Sequence, residues 1–233
     1  MTRESLKSKR ERSSRIIKRL IEAQPDARCT LDYQEDWQLL FAAILAAQCT
    51  DERVNQVTAP MFERWPNLSD YSGLSQGELE EAINSCGLYR NKAKAISASS
   101  RVLLENFEGK VPSDYRELIS LPGVGQKIAN LLLGELFARP AMVVDTHNGR
   151  IARLLGFSQA KDPRAVEKDL TKVVAEDYWI VWGHHMVELG RTYCKARCRM
   201  CLACPIAEDC AYAKKQEEKI SELRREGDLH VCC

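Results

Sequence analysis

The chain has 233 residues, 45% of them apolar, and 34 Lys and Arg against 33 Asp and Glu leave a formal charge of +1. That is enough for one large domain or two small ones, and the balance of charge does not by itself announce a nucleic-acid binder. No apolar run approaches the roughly 18 residues that cross a bilayer, and the start Met1-Thr-Arg-Glu-Ser-Leu-Lys lacks the apolar core of a secretory signal, so a cytoplasmic protein without membrane contact is expected.

The apolar spacing is helical almost throughout. Residues 1–20 carry eight Lys and Arg against Glu4 and Glu11, which reads either as a phosphate-contacting patch or as a solvated helix face. Trp37, Leu40, Phe41, Ile44 and Leu45 recur at helical intervals behind Asp36, a candidate N-cap. Asp51 is placed to cap a second helix with Val54 and Val57, kinked at Pro60 before Met61 and Phe62. Ser75 and Glu78 have the spacing of a capping box, and Gly87 stands where a helix C-cap glycine would. A helix near Tyr115–Ser120 should stop ahead of Pro122, and Asp162-Pro163 should open another. The one β-like run, Ala141-Met-Val-Val, is short. An all-α protein is expected.

Residues 121–127 read Leu-Pro-Gly-Val-Gly-Gln-Lys and lead into the apolar helical run from Ile128. Gly123 and Gly125 permit a tight turn and the close approach of another backbone. The turn ends in a helix N-terminus whose free amides favour an anion and suit a DNA phosphate without reading sequence. An ordinary helical hairpin would need no such ligand. Lys127 falls in the first turn of the second helix, where the dipole disfavours an ammonium and favours the nucleophilic free amine. Eighteen residues later Val143-Val-Asp145-Thr-His-Asn-Gly-Arg150 opens a further helix. Asp145 is either an N-cap or a carboxylate able to take a proton or stabilise a developing cation. His147 has the position of a supporting or structural group.

The hairpin followed by Val-Asp-Thr-His resembles the endonuclease III family of helix–hairpin–helix DNA glycosylases. The resemblance runs from about residue 15 to 215 and implies that Lys127 attacks the anomeric carbon while Asp145 assists. It implies two helical domains: a six-helix barrel over 30–138, and an iron–sulfur domain uniting 1–29 with 139–233, with the active site at the cleft between them. It further implies that Gln48, in Leu45-Ala-Ala-Gln-Cys-Thr-Asp51, fills the gap left by an extruded base, and that Leu88, in Cys86-Gly-Leu-Tyr-Arg, wedges the opposite strand.

Five of the ten cysteines lie between Cys194 and Cys210, a concentration that argues for metal rather than disulfides. Cys29, Cys49 and Cys86 read as small core residues, and Cys232 and Cys233 carry no assigned role. Cys194, Cys201, Cys204 and Cys210 have the spacing C-x6-C-x2-C-x5-C, unlike the paired motifs of most structural zinc sites. The spacing matches the endonuclease III motif, which implies a [4Fe–4S] cluster. Cys198 adds a ferredoxin-like Cys-x2-Cys-x2-Cys run and competes with Cys194 as a ligand; the family spacing includes Cys194. Arg197 and Arg199, within this loop, are placed to touch DNA phosphates.

The resemblance therefore implies a monomeric glycosylase and abasic-site lyase acting on double-stranded DNA with damaged bases, oxidised pyrimidines above all. A related adenine glycosylase family needs a glutamate in the helix before the glutamine loop, whereas Phe41–Gln48 holds no acid. A non-catalytic DNA-binding or redox module need not keep both Lys127 and Asp145.

Overall fold

The computed structural model describes residues 4–216; Cys232, Cys233 and the charged tail before them lie outside those residues. Its regular structure is helical, and the one β pairing among the described residues is an isolated bridge between Cys194 and Arg199. Ala141–Val144 is extended but joins no strand. No described helix is long and apolar enough to cross a membrane. The chain divides into two compact units, Cys29–Arg139 and a discontinuous one of Met1–Arg28 with Pro140–Cys233.

The discontinuous unit begins with α1 (Leu6–Ala23), capped by Ser5, whose hydroxyl accepts from the Ser8 amide at 3.1 Å. The Cys29–Arg139 unit then contains α2 (Asp36–Leu45), α3 (Asp51–Arg64), α4 (Leu68–Gly73), α5 (Gln76–Ala82), α6 (Tyr89–Asn106), α7 (Tyr115–Ser120) and α8 (Gln126–Phe137). At its centre α2 packs against α3, α6 and α8, and every residue from Trp37 to Leu45 is buried. A helix buried all round is apolar on nearly every side, with Gln38 spent on the N-terminal amides, so the apolar stripe read from the sequence is one side of an internal element. Trp37, Phe41 and Tyr71 stack edge-on or tilted with centroids 5.0–5.4 Å apart, an arrangement that ring quadrupoles favour.

Three of the expected helix ends shift. Glu35, not Asp36, is the N-cap of α2, in a capping box with Gln38. Thr50, not Asp51, caps α3, accepting from the Arg53 amide at 3.3 Å, and α3 continues through Pro60 to Arg64. Gly87 is not a C-cap, because α5 ends at Ala82 with Ile83 after it. At α2 and α3 the side chain one residue earlier satisfies the first free amides, and α5 closes on a hydrogen bond from the Ile83 amide to the Leu79 carbonyl, well before Gly87. The capping box of Ser75 and Glu78 and the Asp162-Pro163 start are present as read.

After Arg139 the chain rejoins the first unit through α9 (Thr146–Leu154), α10 (Pro163–Val173) and α11 (Trp179–Thr192). Ile16, Ile17 and Leu20 of α1 are buried in one core with Ile151, Leu170 and Trp182. Burial of each such aliphatic side chain stabilises by about 1.5–3 kcal/mol. The basic residues of α1 are largely occupied inside this unit. Arg12 pairs with Glu4 at 2.7 Å and lies 4.3 Å over the Phe157 ring; Arg15 and Arg19 reach Asp209 and Glu208 at 2.8 and 2.7 Å. Lys9 and Arg10 donate to the carbonyls of Gly156 and Lys172. These five residues are neither a simply solvated face nor bare: they tie α1 to the rest of its unit.

Candidate functional site

In the Cys29–Arg139 unit, α7 and α8 pack together as a hairpin joined by Leu121–Gly125. The two glycines of the turn serve different ends. Gly123 has φ +82°, and a Cβ there would stand 2.7 Å from the Ala95 methyl, so both conformation and space demand glycine. The Ser99 hydroxyl donates to the Pro122 carbonyl at 2.7 Å and pins the same turn. Gly125, the N-cap of α8, is exposed, and a Cβ built on it meets nothing within 4 Å. That empty space gives an outside anion room to approach the N-terminus of α8. Lys127, two residues on in the first turn of α8, is exposed.

Gln48 and Leu88, from the same unit, are both exposed and both left-handed, with φ of +55° and +60°. Non-glycine residues in that region carry strain of order 1–3 kcal/mol and concentrate at functional positions. Gln48 lies in the turn after α2 and Leu88 is the N-cap of α6. The turns abut: a Cβ on Gly87 would meet the Gln48 carbonyl oxygen at 3.6 Å, an ordinary contact. Cys86 is fully buried, but Cys29 and Cys49 are half-exposed and do not belong to the core as expected.

In the discontinuous unit Asp145 caps α9, its Oδ1 accepting from the Asn148 amide at 2.7 Å. The cap reading is correct and leaves a second carboxylate oxygen for other work. Asn148 was not singled out by sequence, yet it organises this segment. Only 1% exposed, it donates through Nδ2 to the Val143 carbonyl at 2.7 Å and accepts from Trp182 Nε1 at 3.2 Å. An Asn three residues after an N-cap is ordinary in a sequence; only the buried indole opposite it reveals the role. Arg150 donates to His147 Nδ1 at 3.2 Å, to the Cys194 carbonyl, and to Cys194 Sγ at 3.5 Å.

Cys194, Cys201, Cys204 and Cys210 border one largely apolar cavity, with Ile151, Leu155 and Ile206 in its wall. None is in a disulfide. Burial pushes the Cys204 thiol up to about 11, and raises Cys194 against the opposing pull of Arg150 and Arg199. Cys198 is exposed and does not line the cavity. Arg197 is exposed, but Arg199 is half-buried, lies 5.1 Å from the Tyr212 ring centroid and lines the cavity. Among the described residues, no three His, Cys, Asp or Glu side chains converge as ligands of a single metal ion do.

Residues 41–176 match the family described as HhH-GPD superfamily base excision DNA repair protein. Endonuclease III of Synechocystis sp. is 43% identical over 208 residues, 89% of this chain and 95% of that one. Endonuclease III of Bacillus subtilis is 40% identical over 196 residues, 84% and 90% of the two chains. Among solved structures, a trapped endonuclease III–DNA covalent intermediate is 39% identical with a TM-score of 0.82, covering 88% of this chain and 98% of that one. A non-covalent endonuclease III–DNA complex gives 38% and 0.84, covering 90% and 98%. The chain belongs to the endonuclease III family within the HhH-GPD superfamily of base excision DNA repair proteins.

Proposed function

We propose that this DNA glycosylase and abasic-site lyase of base excision repair removes oxidised pyrimidines from duplex DNA, with Lys127 as nucleophile and Asp145 as the assisting carboxylate. The observation that carries the assignment is an exposed lysine in the first turn of α8, two residues after an exposed glycine with open space at its Cβ position. The N-terminus of α8 holds a phosphate and brings the sugar to the lysine, which needs no sequence readout. The Lys127 amine attacks C1′ and the base departs. Asp145, through the oxygen not used by the cap, accepts the lysine proton or stabilises cationic character on the sugar. The resulting imine acidifies the C2′ proton; its loss expels the 3′ phosphate and cuts the strand.

Gln48 and Leu88 serve the extruded base, Gln48 filling the gap in the stack and Leu88 wedging the opposite strand. Exposure and a strained backbone at both support that role. Gly123 and Gly125 shape the phosphate turn. Arg197 is the phosphate contact of the cysteine loop, and Arg199, drawn toward Tyr212, contributes less. The protein acts as a monomer.

The residues present fit a [4Fe–4S] cluster: four thiols and no imidazole face one apolar cavity. Cys194, Cys201, Cys204 and Cys210 would hold it. When bound, the cluster supplies thiolate–iron bonds that tie the loop after α11 together, and it is not consumed in bond breaking.

Borohydride reduction tests the central step. The wild type is expected to yield a covalent protein–DNA adduct, and Lys127→Ala none, while keeping duplex binding. Trapping by Lys127→Ala at wild-type yield would assign the nucleophile elsewhere.

A further inference from the structure

Among the described residues Lys92, in the first turns of α6, is the one buried lysine, 5% exposed, and the proposed chemistry does not use it. Its ammonium donates to the Leu45 carbonyl at 2.8 Å. No carboxylate pairs with it among the described residues. An ammonium has three donors, and one carbonyl does not restore the hydration that burial removes. An apolar side chain of similar length would fill the same space without that cost.

The contact falls between the two left-handed residues. Leu45 ends α2, so its carbonyl belongs to the set that a helix end leaves without amides. In the turn that follows, the Ala47 amide reaches the Ile44 carbonyl at 3.4 Å and the Cys49 amide reaches that of Ala46 at 3.2 Å. Lys92 takes the carbonyl between them, at the negative end of the helix dipole. Gln48 lies three residues on, with φ +55°. The backbone of Lys92 holds the other turn: its amide donates to the carbonyl of Leu88, the left-handed N-cap of α6, at 3.2 Å. One residue therefore ties both turns, by its side chain on one and its amide on the other.

We propose that Lys92 is a positioning residue for damage recognition: its buried ammonium holds the end of α2 so that Gln48 and Leu88 meet an opened duplex as one preformed surface. The charge serves the two turns and not the stability of the unit. The inference rests on the roles proposed for Gln48 and Leu88. Without the tie the end of α2 loosens and Gln48 leaves its left-handed conformation, while the α7–α8 hairpin keeps its phosphate contact. Undamaged duplex is then bound as before, and duplex with a gap in its stack is bound less well.

Lys92→Met tests this in the full chain carrying its cluster, since methionine keeps much of the length and gives up the charge and the donors. Affinity for a duplex with a stable tetrahydrofuran abasic analogue should fall about tenfold, while affinity for undamaged duplex stays within about twofold of wild type. The denaturant midpoint should not fall, because losing the buried charge offsets the Leu45 carbonyl left bare. Added to Gln48→Ala, the same substitution should cost no further affinity for the analogue, since a residue that acts through another is not additive with it. Equal losses on both duplexes, additive losses in the double variant, or a Lys92→Met protein that unfolds or melts earlier would each overturn the assignment and leave Lys92 a residue of the fold. Gln48→Ala and Leu88→Ala that bind the analogue as tightly as wild type would instead remove the roles proposed for those two residues.

Discussion

The imidazole of His147 occupies the place where a side chain on Gly190 would begin. A Cβ at position 190 would stand 2.2 Å from His147 Nδ1 and 2.8 Å from its Cγ. The glycine in α11 thus admits the ring that α9 presents, and Arg150 connects that ring to Cys194. Gly190→Ala is expected to expel the ring. Overpacking of this kind costs about 1–3 kcal/mol. Thermal melting should show the loss, and Arg150, which also donates to Cys194, loses its His147 partner. A melting temperature equal to wild type would mean that the ring moves aside freely.

Asn148 should affect chemistry more than binding. Asn148→Ala strips the Trp182 indole N–H and the Val143 carbonyl of their partners, at about 1–3 kcal/mol for each group left unsatisfied. The segment carrying Asp145 then loses its anchor. Single-turnover base excision is expected to slow by about tenfold. Affinity for an abasic analogue should stay near wild type, and Asn148→Gln should recover part of the rate. Parallel losses in rate and affinity would reduce Asn148 to a folding residue.

The cysteine-lined cavity distinguishes the competing ligand sets. Cys194 lines it and Cys198 does not. Cys194→Ser is expected to lose iron and the absorption near about 400 nm, and Cys198→Ser to keep both. The opposite pattern would reassign the ligands.

His185 gives the discontinuous unit a pH dependence of known sign. It is 3% exposed, its Nδ1 has no hydrogen-bond partner, and burial, with His184 adding to it, holds its pKa below the usual 6.5. The unfolded chain therefore binds the proton first. The contribution is complete above 6.5 and is lost as pH falls from 6.5 toward the lower folded value. Denaturant midpoints measured at about pH 7.5 and 5.5 should fall less in His185→Gln than in wild type. Equal falls would show that His185 does not titrate in this range.

The helices were legible because their apolar spacing is a local signal, and Asp162-Pro163 and Ser75 with Glu78 mark helix starts by chemistry alone. Their neighbours were misplaced where two capping residues stand side by side. Glu35 and Thr50 each took a position that the next residue was equally able to fill. The roles proposed for Lys127, Asp145 and the four clustered cysteines come from motif spacing and the family resemblance, and the structure adds that the four cysteines line one cavity. Asn148 was not legible, because its role depends on a contact with Trp182 across tens of residues that no periodicity encodes. The left-handed backbone at Gln48 and Leu88 was hidden for another reason. Neither residue type favours that region, so strain imposed by the fold leaves no mark in the sequence.

The discontinuity of the first unit sets an order of events during synthesis. Ile16, Ile17 and Leu20 emerge early, but the residues that bury them lie beyond Pro140, and the acids that hold Arg15 and Arg19 are Glu208 and Asp209. At ribosomal rates α1 waits on the order of ten seconds or more with its apolar stripe uncovered. The Cys29–Arg139 unit can complete its own core in that interval. The cysteine loop emerges later still and docks, through Glu208 and Asp209, on a helix made first.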